Sequence, residues 1–401
     1  TMTTTRLYVP VAEQIAVSDA IEQAIAADDY EFVRALLRRL PCHESSGARL
    51  EMHSCTRRRT RFGVINMIYF VEASYAGRRH EPTTTTTHWF VLRVSNPHCY
   101  WHGYKTRNEV RALGFVQQFA STIPTPRLVA YQVVEPHERI EPTLHTTPAE
   151  VLERIEFLLM ERIGGVELEA LEPTLTAEQR VRVAESLVRV VSELGAAGER
   201  LLERAECRRI GSFTGGETTR HTFPDDEKDD DGHQELLVEE MQQLGRLIVD
   251  GPSIGPFESL PDQVRGYAAF LLAAIDSGIE VYERFRTELA PSLRYLLESV
   301  LPEYQRQHAR HVGGAGGGGA LPLRLIHSDL NLGNVLVDPE TLELTAVLDW
   351  EHARLDVADL EWNNLAGSVS TLLQCESPND EAVVKVLARR AAHCSRDCLT
   401  D

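Results

Sequence analysis

The chain has 401 residues, 43% of them apolar and 25% charged, the composition of a soluble globular protein with room for two lobes. Its 60 acidic side chains outnumber 41 basic ones, and the net charge of −19 argues against binding nucleic-acid backbones or anionic membranes while leaving room for a cationic substrate. No apolar run reaches the roughly 18 residues of a membrane span, so no nucleic-acid or membrane partner is expected.

The opening TMTTTRLYVPVAEQ has no basic stretch leading into an apolar core, so no signal peptide is predicted. Residues 18–40 carry apolar side chains at helical spacing, with Asp28 and Asp29 placed as caps between two short helices. A helical extension is expected over 1–48. Beyond it, FGVINMIYFVEASY and HWFVLRV predict two strands joined by a loop containing EPTTTTT. KTRNEVRALGFVQQFA predicts a helix, which the prolines of STIPTPRLVAYQVV end before strand resumes. IEFLLMERIGG predicts a further strand, stopped by Gly164 and Gly165. Residues 49–163 are thus expected to form a small sheet lobe with one helix.

Helix dominates 164–401. TAEQRVRVAESLVRVVSEL opens with a capping box, Thr176 and Gln179, and puts Val183, Leu187, Val190, Val191 and Leu194 on one face. An acidic insertion is expected near 214–235, around FPDDEKDDDGHQE, where charge outweighs apolar content. Two more helices are predicted in LPDQVRGYAAFLLAAIDSGIEVYERF and APSLRYLLESVLPEYQRQ. GGAGGGGA is a flexible link and lacks the Lys-Ser/Thr ending of a phosphate loop. The seven cysteines are scattered, and Cys394 and Cys398 beside His393 lack a second ligand pair, so reduced thiols and a cytoplasmic location are expected.

LRLIHSDLNLGNVLVDPETLELTAVLDWEHA, residues 323–353, breaks strand-like sequence with polar groups that are costly to bury. LRLI, NVLV and LTAVLDW predict three short strands, with a turn at DPETLE. His327, Asp329 and Asn334 then sit on the first connecting loop and Asp349 at the end of the third strand. H-x-D-L-x-x-x-N followed by a further Asp matches the kinase pattern. There the first Asp receives the acceptor hydroxyl proton, and the Asn and second Asp hold Mg²⁺. Such ligands suit Mg²⁺, a hard cation that takes oxygen donors and leaves room for phosphate and water. Turn chemistry also favours Asp and Asn, but would not place a strand on either side and a second Asp beyond.

HSDLNLGNVLVD followed by VLDWEHA resembles the aminoglycoside phosphotransferase and choline kinase-like group, and is most similar to the fungal phosphotransferase enzyme family. The resemblance runs from about residue 50 almost to the C-terminus. It implies an α+β protein-kinase-like fold, with a small antiparallel-sheet N-lobe, a hinge, and a larger mainly helical C-lobe carrying the catalytic loop 327–334. It implies ATP and Mg²⁺ as cofactors and a small molecule bearing a hydroxyl as acceptor. Arg93 would stand where kinases carry a strand Lys, with Glu109 as its partner on the next helix. Arg retains the charge but presents a planar fork. Met160 would be the gatekeeper, and the main chains of Glu161 and Ile163 would meet the adenine edge. Gly63 and Asn66 fall at the nucleotide loop, which carries one glycine where relatives have several. Arg57, Arg58, Arg59 and Arg61 either approach the triphosphate or form an exposed basic run. Asp359 matches an Asp that braces the catalytic loop, and is equally an ordinary helix-start residue. Gly211 and Ser212 in RRIGSF also match the fungal group, without an assigned role.

Three functions compete. The first is an ATP- and Mg²⁺-dependent kinase with Asp329 at the acceptor, Asn334 and Asp349 as metal ligands, and His327 bracing the loop. The second is a pseudokinase-like nucleotide-binding or regulatory module, motivated by Arg93 and the glycine-poor loop. The third keeps the chemistry but uses a protein acceptor, for which no peptide groove is readable. The oligomeric state is not readable either.

Overall fold

The computed structural model describes residues 29–38, 40, 49–58, 66–76, 87–95, 104–133, 156–205, 211–212, 257, 259–276, 285–312, 323–375, 377–378 and 380–388. Gly63, Arg59, Arg61, the helix predicted before Asp28, the acidic stretch, the glycine-rich link and Cys394 with Cys398 lie outside them.

The N-terminal part comprises α1 (Asp29–Arg38), β1 (Arg49–Arg57), β2 (Asn66–Ala76), β3 (Thr87–Ser95), α2 (Tyr104–Phe119), β4 (Leu128–Gln132) and β5 (Phe157–Glu161). The five strands form one antiparallel sheet in the order β1-β2-β3-β5-β4. The two-residue period of β3 decides which face does what. Phe90, Leu92 and Val94 are buried against Met67, Tyr69 and Val71 of β2 and against Val33, Leu36 and Leu37 of α1. Val91 and Arg93 point the other way, into the cleft below. β1 is a strand that apolar pattern did not reveal. At the sheet edge only Leu50, Met52 and Cys55 pack against the core, and a register shift between Met52 and Ser54 breaks the alternation.

After the hinge come β6 (Val166–Glu167), a one-turn helix Leu168–Leu171, and α3 (Ala177–Ala205). The capping box forms as read: Thr176 N–H donates to Gln179 Oε1 at 2.9 Å and Gln179 N–H to Thr176 Oγ1 at 3.3 Å. Val183, Leu187, Val190, Val191 and Leu194 are all buried. β7 (Gly211–Ser212), α4 (Leu260–Asp276) and a helix running through Ala290–Tyr295, a π-helical segment Leu296–Val300 and Leu301–Val312 follow. Next are β8 (Leu323–Ile326), β9 (Val335–Val337), β10 (Leu344–Val347), β11 (Arg354–Val357), α5 (Ala358–Leu373) and a last helix over 381–388.

The three strands of the motif region do not form one sheet. β9 and β10 make a hairpin with β6 added, whereas β8 pairs with β11, which pairs in turn with β7. β6, β7 and β11 were not predicted, because two to four residues are too few to carry a period. The turn between β9 and β10 is closed by Asp338 Oδ1, which accepts from the amides of Glu340 at 2.9 Å and Thr341 at 2.8 Å. Two glycines set close approaches. Gly165, at φ +129°, crosses the hairpin where a Cβ would lie 2.5 Å from Thr345 Oγ1 and 2.9 Å from Val337 O. At Gly198 a Cβ would overlap the Leu325 amide, so only glycine lets α3 lie against β8. That contact supports the strand leading into the loop 327–334.

Candidate active site

The loop after β8 is held by its own side chains. Asn331 Nδ2 donates to Asp329 Oδ1 at 3.0 Å, and Asn334 Nδ2 donates to Asp329 Oδ2 at 3.1 Å and to its carbonyl at 2.9 Å. Asn331 Oδ1 in turn accepts from the amides of Gly333 at 2.9 Å and Asn334 at 3.2 Å, capping a 3₁₀ turn. Both oxygens of Asp329 therefore have fixed donors and its carboxylate has a fixed direction.

α5 holds the loop backbone from below. Glu361 accepts the amides of His327 at 3.1 Å and Ser328 at 2.9 Å, while Asn364 and Ser368 donate to the carbonyls of Ser328 at 3.0 Å and Leu330 at 2.9 Å. Burial pushes the Glu361 carboxyl up to about 7 against the opposing pull of those two amides. The Asp359 side chain lies outside the described residues; Glu361 is the carboxylate seen bracing the loop.

His327 is fully buried against the Trp350 ring, 4.5 Å between centroids. Its Nε2 donates to Leu348 O at 2.9 Å and its Nδ1 accepts from the Asp329 amide at 3.3 Å. Those two bonds require the neutral ring, and burial lowers its pKa to about 4. It ties the Asp329 loop to the chain just before Asp349. Leu348 N–H donates to Asn334 O at 2.8 Å and strengthens the same link.

Asp349 begins the turn Trp350–His352 with left-handed backbone, φ 64° and ψ 57°. Its Oδ1 accepts from Arg93 Nη1 at 3.1 Å. The same Nη1 lies 3.5 Å from Glu351 Oε2, and Nη2 is ion-paired with Glu109. Arg93, Glu109 and Glu351 are each nearly fully buried, so one guanidinium balances three carboxylates from α2 and the turn. A third of the Asp349 side chain is exposed, yet burial pushes its carboxyl up to about 6, Glu351 adds to this, and Arg93 pulls it back. Asn66 Nδ2 reaches Glu351 Oε2 at 3.5 Å, and Asn108 of α2 donates to the carbonyls of Glu351 at 2.9 Å and Ala353 at 2.8 Å.

A cavity of about 1200 Å³ lies between the sheet and these loops. Asn66, Arg93, Glu109, Met160, Glu161, Ile163, Asn334 and Asp349 all line it. Buried His327 and half-buried Asp329 are not among its lining residues, although Asp329 is bonded to Asn331 and Asn334, which are. At the hinge, the Glu161 amide is bonded to Arg127 O and the Arg162 amide to Trp89 O, both at 2.9 Å. Both amides are thereby occupied, and the Ile163 amide makes no backbone bond among the described residues. Arg162 lies over Phe70 at 4.7 Å and Trp89 at 5.5 Å. Arg58 is ion-paired with Glu167 across the cavity mouth.

The sequence profile described as "Phosphotransferase enzyme family" matches residues 83–362. The chain belongs to that family. It is a phosphotransferase, and the match is shorter at both ends than the resemblance suggested. Among solved structures it is similar to an aminoglycoside-3′-phosphotransferase of type VIII, at 18% identity and TM-score 0.41 over 90% of this chain and 91% of that one. A putative aminoglycoside phosphotransferase from Ralstonia eutropha gives 13% identity and TM-score 0.45 over 90% and 80%. Plasmodium vivax ethanolamine kinase gives 10% identity and TM-score 0.39 over 84% and 71%. No curated protein sequence matches the chain.

The oxygen donors of this phosphotransferase fit a divalent cation. Asn334 spends its Nδ2 on Asp329, and its Oδ1 accepts no hydrogen bond among the described residues. Asp349 offers a carboxylate to the same cavity, with oxygens of Glu109 and Glu351 within 4.8 Å of it and of each other. This is a hard, anionic donor set of the kind Mg²⁺ takes. Four contributors were missed in the sequence: Asn108, Asn331, Glu351 and Glu361. Asn331 had a signal, since an Asx residue two before a Gly opens a capped turn. Glu351 stood in the quoted VLDWEHA without a role. Asn108 and Glu361 act across the fold and gave none.

Proposed function

We propose that this phosphotransferase moves the γ-phosphoryl group of ATP to a hydroxyl of a small molecule, with Mg²⁺ as the ion. The observation that carries the reading is Arg93 of the sheet bonded at once to Glu109 and to Asp349, on the wall of a cavity that also reaches Asn334. Asp329 accepts the acceptor proton as transfer completes, with its direction set by Asn331 and Asn334. Asn334 and Asp349 would hold Mg²⁺, which when bound neutralises charge on the phosphate oxygens. Arg93 offers its fork to the phosphates once nucleotide competes for it. Met160 closes the back of the base slot, and the main chains of Glu161 and Ile163 meet the base edge at the carbonyl of the first and the amide of the second. His327 positions the loop, because both nitrogens of its neutral ring are bonded to backbone groups and neither is left to face a substrate. The net charge of −19 suits an amine-bearing acceptor. Cys375 carries a free thiol, in keeping with a reducing cytoplasm.

The test is ATP-dependent phosphorylation across amino sugars, amino alcohols and hydroxylated metabolites, with Asp329→Ala and Asp349→Ala alongside. Each variant is expected to lose several orders of magnitude in rate. Undiminished transfer in either removes the assignment. The engagement of Arg93 by three carboxylates favours a second reading, a nucleotide-binding module without transfer. Mg-ATP binding with no phosphoryl transfer to any hydroxyl compound, water included, would select it.

A further inference from the structure

Asp349 has to aim a carboxylate into the cavity from left-handed backbone, a region that L residues occupy only when their surroundings hold them there. The chain on either side of it is fixed at its carbonyls. Trp350 Nε1 donates to Val347 O at 2.9 Å, and His327 Nε2 to Leu348 O at 2.9 Å. On the far side, Asn108 Nδ2 donates to Glu351 O at 2.9 Å and to Ala353 O at 2.8 Å, spending both amide hydrogens. Asn108 is completely buried and comes from α2, not from the catalytic lobe. Its neighbour Glu109 holds Arg93, which bonds the Asp349 carboxylate itself. Two consecutive residues of one helix therefore grip the same turn, one by its backbone and the other through the guanidinium.

We propose that Asn108 is a positioning residue for the reaction: by binding the two carbonyls that follow Asp349 it fixes the turn, and so the direction of the carboxylate offered to the metal. This rests on the phosphotransferase reading of the site. Residues that orient a metal ligand change metal affinity by about 10- to 100-fold when removed. Asn108→Leu keeps the approximate shape and removes both donors.

The experiment measures Mn²⁺ binding by electron paramagnetic resonance in the presence of a non-hydrolysable ATP analogue, for the parent and for a variant shown to be folded by circular dichroism. Mn²⁺ affinity should fall about 10-fold or more, while analogue affinity in EDTA stays within about twofold. In turnover, the lost rate should return as Mg²⁺ is raised, with the acceptor KM unchanged. If Asn108→Leu does not fold, Asn108→Ser, whose shorter hydroxyl falls short of both carbonyls, is judged by the same readings with the same expected loss of about 10-fold or more. Parent-like Mn²⁺ affinity in a folded variant overturns the role of Asn108 alone. A parent protein that binds no Mn²⁺ with the analogue overturns this proposal together with the kinase reading.

Discussion

The loop at 327–334 and the cluster around Arg93 serve one cavity but are built in opposite ways. Asp329 is fixed by amides two and five residues away. Arg93 reaches carboxylates 256 and 258 residues further along the chain. The first arrangement is turn chemistry that a short peptide can specify. The second exists only once sheet, helix and turn are packed, and its buried charges depend on one another. Arg93→Met is therefore expected to be the most damaging change, about 3–5 kcal/mol in urea unfolding, because Glu109 and Glu351 stay buried without their cation. Asn331→Ala should cost only about 1 kcal/mol. Equal losses from the two variants would erase the distinction.

The contrast sharpens at Gly198, where α3 touches the strand entering the loop. A methyl group there overlaps the Leu325 backbone, which cannot rotate away as a side chain could. Gly198→Ala is expected to lose about 3 kcal/mol, with a matching drop in thermal midpoint. Gly367→Ala is the control: nothing lies within 4 Å of the added carbon and the site is helical, so about 0.5–1 kcal/mol should be gained.

Glu361 links the two regimes, holding local backbone from a distant helix. Glu361→Gln keeps its size but turns an NH₂ toward one of the two amides, at an expected loss of about 2 kcal/mol. The loss should depend on pH. With its carboxyl raised to about 7 in the fold, the protonated form contributes stability that is complete below its ordinary value of 4.5 and vanishes as pH climbs through 7. The Gln variant has no such term, so the gap between the two thermal midpoints should narrow from pH 4.5 to 7. A gap that widens over that interval contradicts the assignment.

What could be read from the sequence follows the same divide. The capping box at Thr176, the buried face of α3 and the placement of Asp329 and Asn334 on a loop were legible, because period and turn residues act over a few positions. The strand read through to Trp350, in contrast, ends at Val347 and leaves Asp349 at the start of a turn. Arg93 and Glu109 could be paired only through a family resemblance, since nothing in HWFVLRV or TRNEV points at the other. Asn108 and Glu361 were invisible, as a buried amide or carboxylate on a helix looks like any surface residue until its partners are known. β1 and β11 were missed because edge position and shortness remove the alternation that marks a strand.

The smallest effect is expected at Arg58 and Glu167, which bridge the cavity mouth from the end of β1 to β6. Their side chains are 41% and 29% exposed, so water and salt screen the pair and little of its Coulomb energy survives. Arg58→Met should cost less than about 1 kcal/mol, and the difference from the parent should fade as NaCl rises from about 0.05 to 0.5 M. At Arg93 the same salt change should leave the loss nearly intact, because buried charges are shielded far less. A strong salt response at Arg93, or none at Arg58, would mean that burial does not separate the two ion pairs in solution.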